Sequence, residues 1–246
     1  MAKKKTGVFG ETIRTVLYAV AIALVIRVFA YEPFNIPSGS MIPSLLIGDY
    51  LFVSKFSYGY SRYSLPWGLP LFKGRVLASP PERGDVVVFK LPKDNKTDYI
   101  KRVIGLPGDR IQVQAGTLYI NGEPVQRDKA AERSVTGYGG LETQVTEYIE
   151  TLPNGHQHRI WERSDQDLLD NTPVYTVPSD HYFAMGDNRD SSQDSRVLSE
   201  VGFVPFENLI GRAEFLFFSH DESARLWEIW KWPFAIRYSR LGHGIE

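Results

Sequence analysis

The chain has 246 residues, 43% hydrophobic and 23% charged, the balance of one large globular domain or two intertwined ones rather than of a disordered protein. Its 28 basic and 29 acidic residues leave a net charge of -1, so no overall field recruits nucleic acid. The absence of cysteine excludes a disulfide framework, a thiol nucleophile and any Cys-based zinc site.

The N-terminus departs from this average. Lys3, Lys4 and Lys5 precede an apolar run, Thr12 to Tyr31, and twenty helical residues span about 30 Å, the hydrocarbon thickness of a bilayer. Arg14 and Arg27 lie near its two ends, where both can snorkel to an interface, with Tyr31 as an interfacial ring. The positive-inside rule puts the lysines in the cytoplasm and everything after Tyr31 outside it. A retained anchor and a cleaved signal peptide both fit. The uninterrupted core Val16–Ile26 is short, and Val28-Phe29-Ala30 loosely resembles a cleavage site. The lysines and the all-round apolar face disfavour a buried helix of a soluble protein.

Beyond the anchor the pattern becomes strand-like. Residues 49–56, 85–90, 99–105, 110–114, 117–122, 174–177, 181–185 and 212–218 are short, β-branched or aromatic, and bounded by Gly, Pro, Asp or Asn. Ala115-Gly116 and Pro153-Asn154-Gly155 read as hairpin turns. The expected fold is all-β, with antiparallel sheets and no internal repeat. Residues 123–178 are more polar and read as an inserted cap. Two apolar stretches, 65–72 and 226–234, fit either buried core or a bilayer interface; the second carries three tryptophans and is followed by Arg237 and Arg240.

Three clusters can carry chemistry. In Pro37-Ser38-Gly39-Ser40-Met41 a glycine lets the chain turn and present a serine hydroxyl, although Ser-Gly-Ser is also ordinary turn chemistry. In the strand around Lys101, alternation puts Tyr99, Lys101 and Val103 on one face and Ile100, Arg102 and Ile104 on the other. This lysine either snorkels from an edge strand or is buried neutral as a general base. Keeping it neutral near pH 8 rather than ~10.4 costs about 3 kcal/mol, within what burial supplies. The polar run 186–196, GDNRDSSQDSR, reads as a solvated loop or a calcium-binding turn, though it lacks the glutamate and glycine spacing of an EF-hand. None of the five histidines has a distinctive neighbourhood and there is no G-x-S-x-G elbow, so a histidine base is unsupported. His156 and His158 make a poor metal pair without a third ligand.

Taken in order, PSGSM after an N-terminal anchor, RGDVVVF, DYIKRVIGLPGD and GDNRDSSQDSR resemble bacterial type I signal peptidase, across residues 33–212. The resemblance implies a membrane-bound serine endopeptidase that removes signal peptides after small residues of the Ala-x-Ala type. Ser40 then corresponds to the nucleophile and Lys101 to the general base. Ser38, with the N–H of Ser40, corresponds to the oxyanion hole, and Ser192 to the serine that orients the lysine. Asp194 and Arg196 match a supporting ion pair, and Arg102 follows the base. Phe34, Asn35, Ile36 and Pro37, together with Tyr99 and Ile100, would flank the substrate as an added strand and wall its pockets. No metal and no cofactor is implied; the partners are signal peptides and the bilayer, with no nucleic acid.

The expected organisation is a cytoplasmic N-terminus (1–11), a retained single-pass anchor (12–31) in the bacterial inner membrane, a catalytic β domain outside the cytoplasm (32–122 and 179–219), the inserted cap (123–178), and an aromatic, basic C-terminal segment (220–246). The motifs do not separate a general enzyme from a peptidase specialised for one conjugation or pilus substrate. A non-enzymatic scaffold is the alternative of another class. Self-cleaving repressors of the SOS response need a DNA-binding domain for which too few residues precede the serine.

Overall fold

The computed structural model describes residues 8–65, 68, 72–136, 142–225 and 227–245. Lys3, Lys4 and Lys5, most of the apolar stretch 65–72 and Leu226 lie outside them.

Helix α1 (Val8–Phe29) starts four residues before the expected anchor and ends two before its expected close. It stops there because Tyr31 already pairs with Ser54 as the first residue of strand β1 (Tyr31–Asn35). The segment Phe9–Phe29 has a mean hydropathy of 1.9 and is long and apolar enough to cross a membrane. Most of its apolar side chains are exposed, Leu17 at 62% and Ile22 at 61%, and only its last turn meets the β fold, where the Phe29 ring lies edge-on to Tyr60.

The strands that follow are β2 (Asp49–Ser54), β3 (Val86–Lys90), β4 (Asp98–Gly105), β5 (Arg110–Gln114), β6 (Thr117–Ile120), β7 (Glu123–Pro124), β8 (Gln126–Thr136), β9 (Glu142–Thr151), β10 (Gln157–Glu162), β11 (Tyr175–Thr176), β12 (His181–Met185), β13 (Val204–Pro205) and β14 (Leu209–Ser219). Apart from α1, a four-residue helical turn at Trp232–Ala235 and short 3₁₀ turns, the described residues form an all-β fold. A seven-stranded sheet runs β1-β2-β14-β3-β4-β12-β13, and every pair in it is antiparallel.

Strand β3 shows why this sheet is stable. Val86 and Val88 point into one apolar cluster with Met41, Leu51 and Ile210, whereas Val87 and Phe89 point into another with Val103, Tyr182 and Leu209. A four-residue apolar run is what a strand covered on both faces requires. In β4, Tyr99 and Val103 join the second cluster and Ile100 the first, the alternation read from the sequence.

The segment 123–178 divides. Its ends, β7 and β11, complete a four-stranded sheet ordered β11-β5-β6-β7, in which Ala115 and Gly116, both with positive φ, make the expected β5–β6 turn. Its middle forms a three-stranded sheet, β10-β9-β8, with Gly155 at positive φ in the β9–β10 turn. The far end of β10 meets the loop after β12, where the Trp161 N–H donates to the Asp187 carbonyl at 2.8 Å.

Candidate active site

Residues Gly39–Met41 form a single 3₁₀ turn, entered from Ser38 in an extended conformation. The first N–H groups of such a turn have no carbonyl behind them, so they are free to face a ligand. The turn is held from the other side. The Asn188 side chain donates to the Gly39 carbonyl at 2.9 Å, and the Asn188 N–H donates to the Ser40 carbonyl at 3.1 Å. Gly186 approaches so closely that a Cβ there would lie 2.5 Å from the Ser40 carbonyl and would also overlap the Ser192 hydroxyl.

This clamp sets Ser40 Oγ 2.7 Å from Lys101 Nζ, which also donates to the Ile100 carbonyl at 2.9 Å. Lys101 is 3% exposed and Ser40 9%. Burial pushes the lysine down to about 8; Asp194 and Asp187 oppose this shift, and Arg196 adds to it. The ring of Tyr99 lies 5.3 Å from Nζ.

Two buried ion pairs frame the dyad. Arg102 binds Asp187 through two hydrogen bonds of 2.9 and 2.8 Å and donates to the Gly84 carbonyl at 2.7 Å. Ser44 donates to the same aspartate at 2.5 Å. Arg196 likewise grips Asp194 with two bonds of 2.9 Å, while the Gly186 N–H donates to Asp194 at 3.0 Å. Burial alone would raise both carboxyls; the facing guanidiniums win and hold both below the usual carboxylate range.

The remaining expected residues fall around this centre. Ser192 is buried against Gly186 and beside Asp194, and the expected bond to Lys101 is not made in this arrangement. Ser38 is exposed at the mouth of the turn. Ile36 is buried, with half-buried Phe34 and Ile100 packed in its cluster; Asn35 and Pro37 are exposed. Strand β1 pairs on one side with β2 and forms one edge of its sheet. Residues Asp98–Lys101 pair with β3, whereas β12 joins β4 only from Arg102 onward. Two stretches flanking the serine therefore have an open edge. A cleft of about 900 Å³ between the end of α1, Phe34 and Asp98 reaches neither Ser40 nor Lys101.

The histidines stand elsewhere. His156 Nε2 lies 3.2 Å from Arg102, and His158 faces Glu150 at 3.3 Å. Among the described residues, the one group able to offer three metal ligands is Glu162, Asp170 and Asp190.

Asp187, Asn188 and Gly186 are site residues whose roles sequence reasoning missed. All three belong to the polar run already singled out, but nothing local reveals that Asp187 pairs with an arginine 85 positions earlier.

A family model described as signal peptidase, peptidase S26, matches residues 9–218. Signal peptidase I of Rickettsia typhi is 47% identical over 210 residues, 82% of this chain and 77% of its own. That of Rickettsia conorii is 45% identical over 228 residues, 89% and 80% of the two chains. A crystal structure of a signal peptidase I from Enterococcus faecalis is 29% identical and covers 55% of this chain and 97% of its own, with a TM-score of 0.31.

Proposed function

Because this chain belongs to the signal peptidase family, peptidase S26, and is a serine peptidase that cleaves signal peptides, we propose that it does so with Ser40 as nucleophile and neutral Lys101 as general base, cutting exported preproteins after small residues of the Ala-x-Ala type. The observation that carries this reading is the 2.7 Å contact between two buried side chains, Ser40 Oγ and Lys101 Nζ.

Neutral Lys101 takes the proton of Ser40 as its Oγ attacks the scissile carbonyl carbon. The oxygen of the tetrahedral intermediate accepts from the Ser40 N–H and the Ser38 hydroxyl, each worth about 3 kcal/mol of transition-state stabilisation. Lys101 then returns the proton to the leaving amine. Water, deprotonated by the same lysine, releases the acyl group. The buried Ser192 hydroxyl is assigned to aim Lys101 once substrate excludes solvent. The pairs Arg102–Asp187 and Asp194–Arg196 keep the two loops in register.

The substrate adds as a strand between the open edges at Phe34–Pro37 and Tyr99–Ile100, its small side chains against Ile36, Phe34 and Ile100. Helix α1 anchors the chain in the bacterial inner membrane with its N-terminus in the cytoplasm, since a helix apolar all round needs a non-aqueous partner. Exposed Trp227, Ile229, Trp230 and Phe234 face the lipid. Detergent-solubilised chain is expected to cut a preprotein at its Ala-x-Ala site, and Ser40→Ala to leave it whole; cutting by Ser40→Ala at the wild-type rate overturns the assignment.

A further inference from the structure

Three carboxylates meet where the insert touches the loop after β12. Glu162 ends β10, Asp170 lies in the segment that follows it, and Asp190 lies two residues before Ser192. Each offers an oxygen within 4.8 Å of the others. Glu162 is 2% exposed and Asp170 is fully buried.

The oxygens are short of donors. Asp170 Oδ2 accepts from the Asp167 N–H at 2.6 Å, and Asp190 Oδ2 from the N–H groups of Arg163 and Ser164 at 2.6 and 3.3 Å. Among the described residues, both oxygens of Glu162, Oδ1 of Asp170 and Oδ1 of Asp190 accept no hydrogen bond. The nearby cations are committed elsewhere. Arg127 stays 3.9 Å from Glu162 and donates to Asp165 and the Gly116 carbonyl. Arg189 spends both terminal nitrogens on Glu150, leaving only its Nε without a partner.

Buried carboxylate oxygens without donors are costly, and a hard divalent cation relieves all of them together. Two oxygens on opposite sides of a calcium ion, each ~2.4 Å from it, lie about 4.8 Å apart, so this cluster fits one ion. A bidentate glutamate and two aspartate oxygens suit the irregular, oxygen-rich shell of calcium better than the small octahedron of magnesium. We propose that Glu162, Asp170 and Asp190 form a calcium site that fastens the insert to the loop carrying Ser192 and Asp194. Asp187 and Asp194, the other carboxylates of that loop, are neutralised by arginines, which leaves Asp190 as its one contribution.

The test is calcium binding by the detergent-solubilised full chain after chelator treatment. Calorimetric titration with CaCl₂ is expected to find one site per chain, with a Kd of about 10⁻⁴–10⁻³ M. A tenfold excess over Kd should raise the melting temperature by about 3–6 °C. Glu162→Gln and Asp190→Asn keep side-chain size and should lose both the heat and the shift, with unchanged far-UV circular dichroism. MgCl₂ should give a smaller shift. A proton shared among the three acids is the other way to relieve them, since burial pushes the Glu162 carboxyl up to about 8. That arrangement yields no calcium heat and no shift in the wild type. This result, or equal binding by both variants, overturns the proposal. Neither readout depends on signal-peptide cleavage, so the two readings fail separately.

Discussion

Gly186 and Ser40 are packed backbone to backbone, with room at residue 186 for no atom beyond Cα: an added Cβ would lie 2.5 Å from the Ser40 carbonyl. The approach lets the loop after β12 hold the turn bearing the serine. Gly186→Ala must push the turn, the Ser192 side chain, or both aside. A displacement on the order of 1 Å at a nucleophile costs about 100-fold, so kcat/KM should fall by about that factor, alongside the loss of about 1–3 kcal/mol in stability that overpacking a buried site brings. Wild-type activity in Gly186→Ala would mean that the turn is not positioned from this side.

Lys101 pays for its neutrality in stability. Its pKa falls to about 8 in the fold, against 10.5 unperturbed, because burial disfavours the ammonium. Between those two pH values the unfolded chain binds more protons, so wild-type stability rises with pH across that window. Below about pH 8 the full penalty applies. Lys101→Met should therefore be more stable than wild type at pH 7 by up to about 3 kcal/mol, and the gap should close as pH approaches 10.5. Urea unfolding of the two proteins at pH 7 and pH 10 measures this, and a gap that does not shrink would contradict it.

Removing one partner of a buried ion pair strands the other. Asp187→Ala removes the carboxylate that binds buried Arg102 through two hydrogen bonds, so a loss of about 3–5 kcal/mol is expected in denaturant unfolding. The double variant Arg102→Met/Asp187→Ala should recover part of that loss, since no uncompensated charge remains. Additive losses in the double variant would show that the pair is not coupled.

On the proposed mechanism Ser38, exposed at the entrance to the turn, would touch the reaction only as charge develops on the scissile oxygen. Its replacement by alanine should lower kcat by about 100-fold with KM nearly unchanged, the signature of an interaction made in the transition state. Steady-state kinetics on a preprotein decides it. A rise in KM at constant kcat would assign Ser38 to substrate binding.

Strand alternation was enough to read most of this fold. The runs that became β2 to β6, β12 and β14 are short, apolar and bounded by turn residues, and Ala115-Gly116 makes the turn expected of it. β1 was missed as a strand because Glu32 and Pro33 spoil its pattern; its pairing with β2 comes from the anchor delivering Tyr31 opposite Ser54. The bounds of the insert rest on its polarity, which does not tell that its two ends belong to the β5–β6 sheet.

In the site, the residues of compact motifs that the structure brings together are Ser40 with Lys101 and Asp194 with Arg196. Partnerships across long separations were not legible. Asp187 and Asp194 look alike in GDNRDSSQDSR, yet one holds Arg102 and the other Arg196, two positions away. The run's resemblance to a calcium loop comes from its alternating carboxylates, whereas the one it contributes, Asp190, meets acids from another part of the chain. Such pairings depend on where the strands cross, which local periodicity does not encode.

The central claim is that Lys101 is neutral when it takes the proton of Ser40. The most direct measurement is kcat/KM for a preprotein with an Ala-x-Ala site across pH 6 to 10, for wild type and Lys101→Met in detergent. Wild-type activity should climb about tenfold per pH unit at low pH and level off above about 8. Lys101→Met should remain about 1,000-fold lower or more throughout. A flat wild-type profile, or comparable rates in the two proteins, would contradict the account.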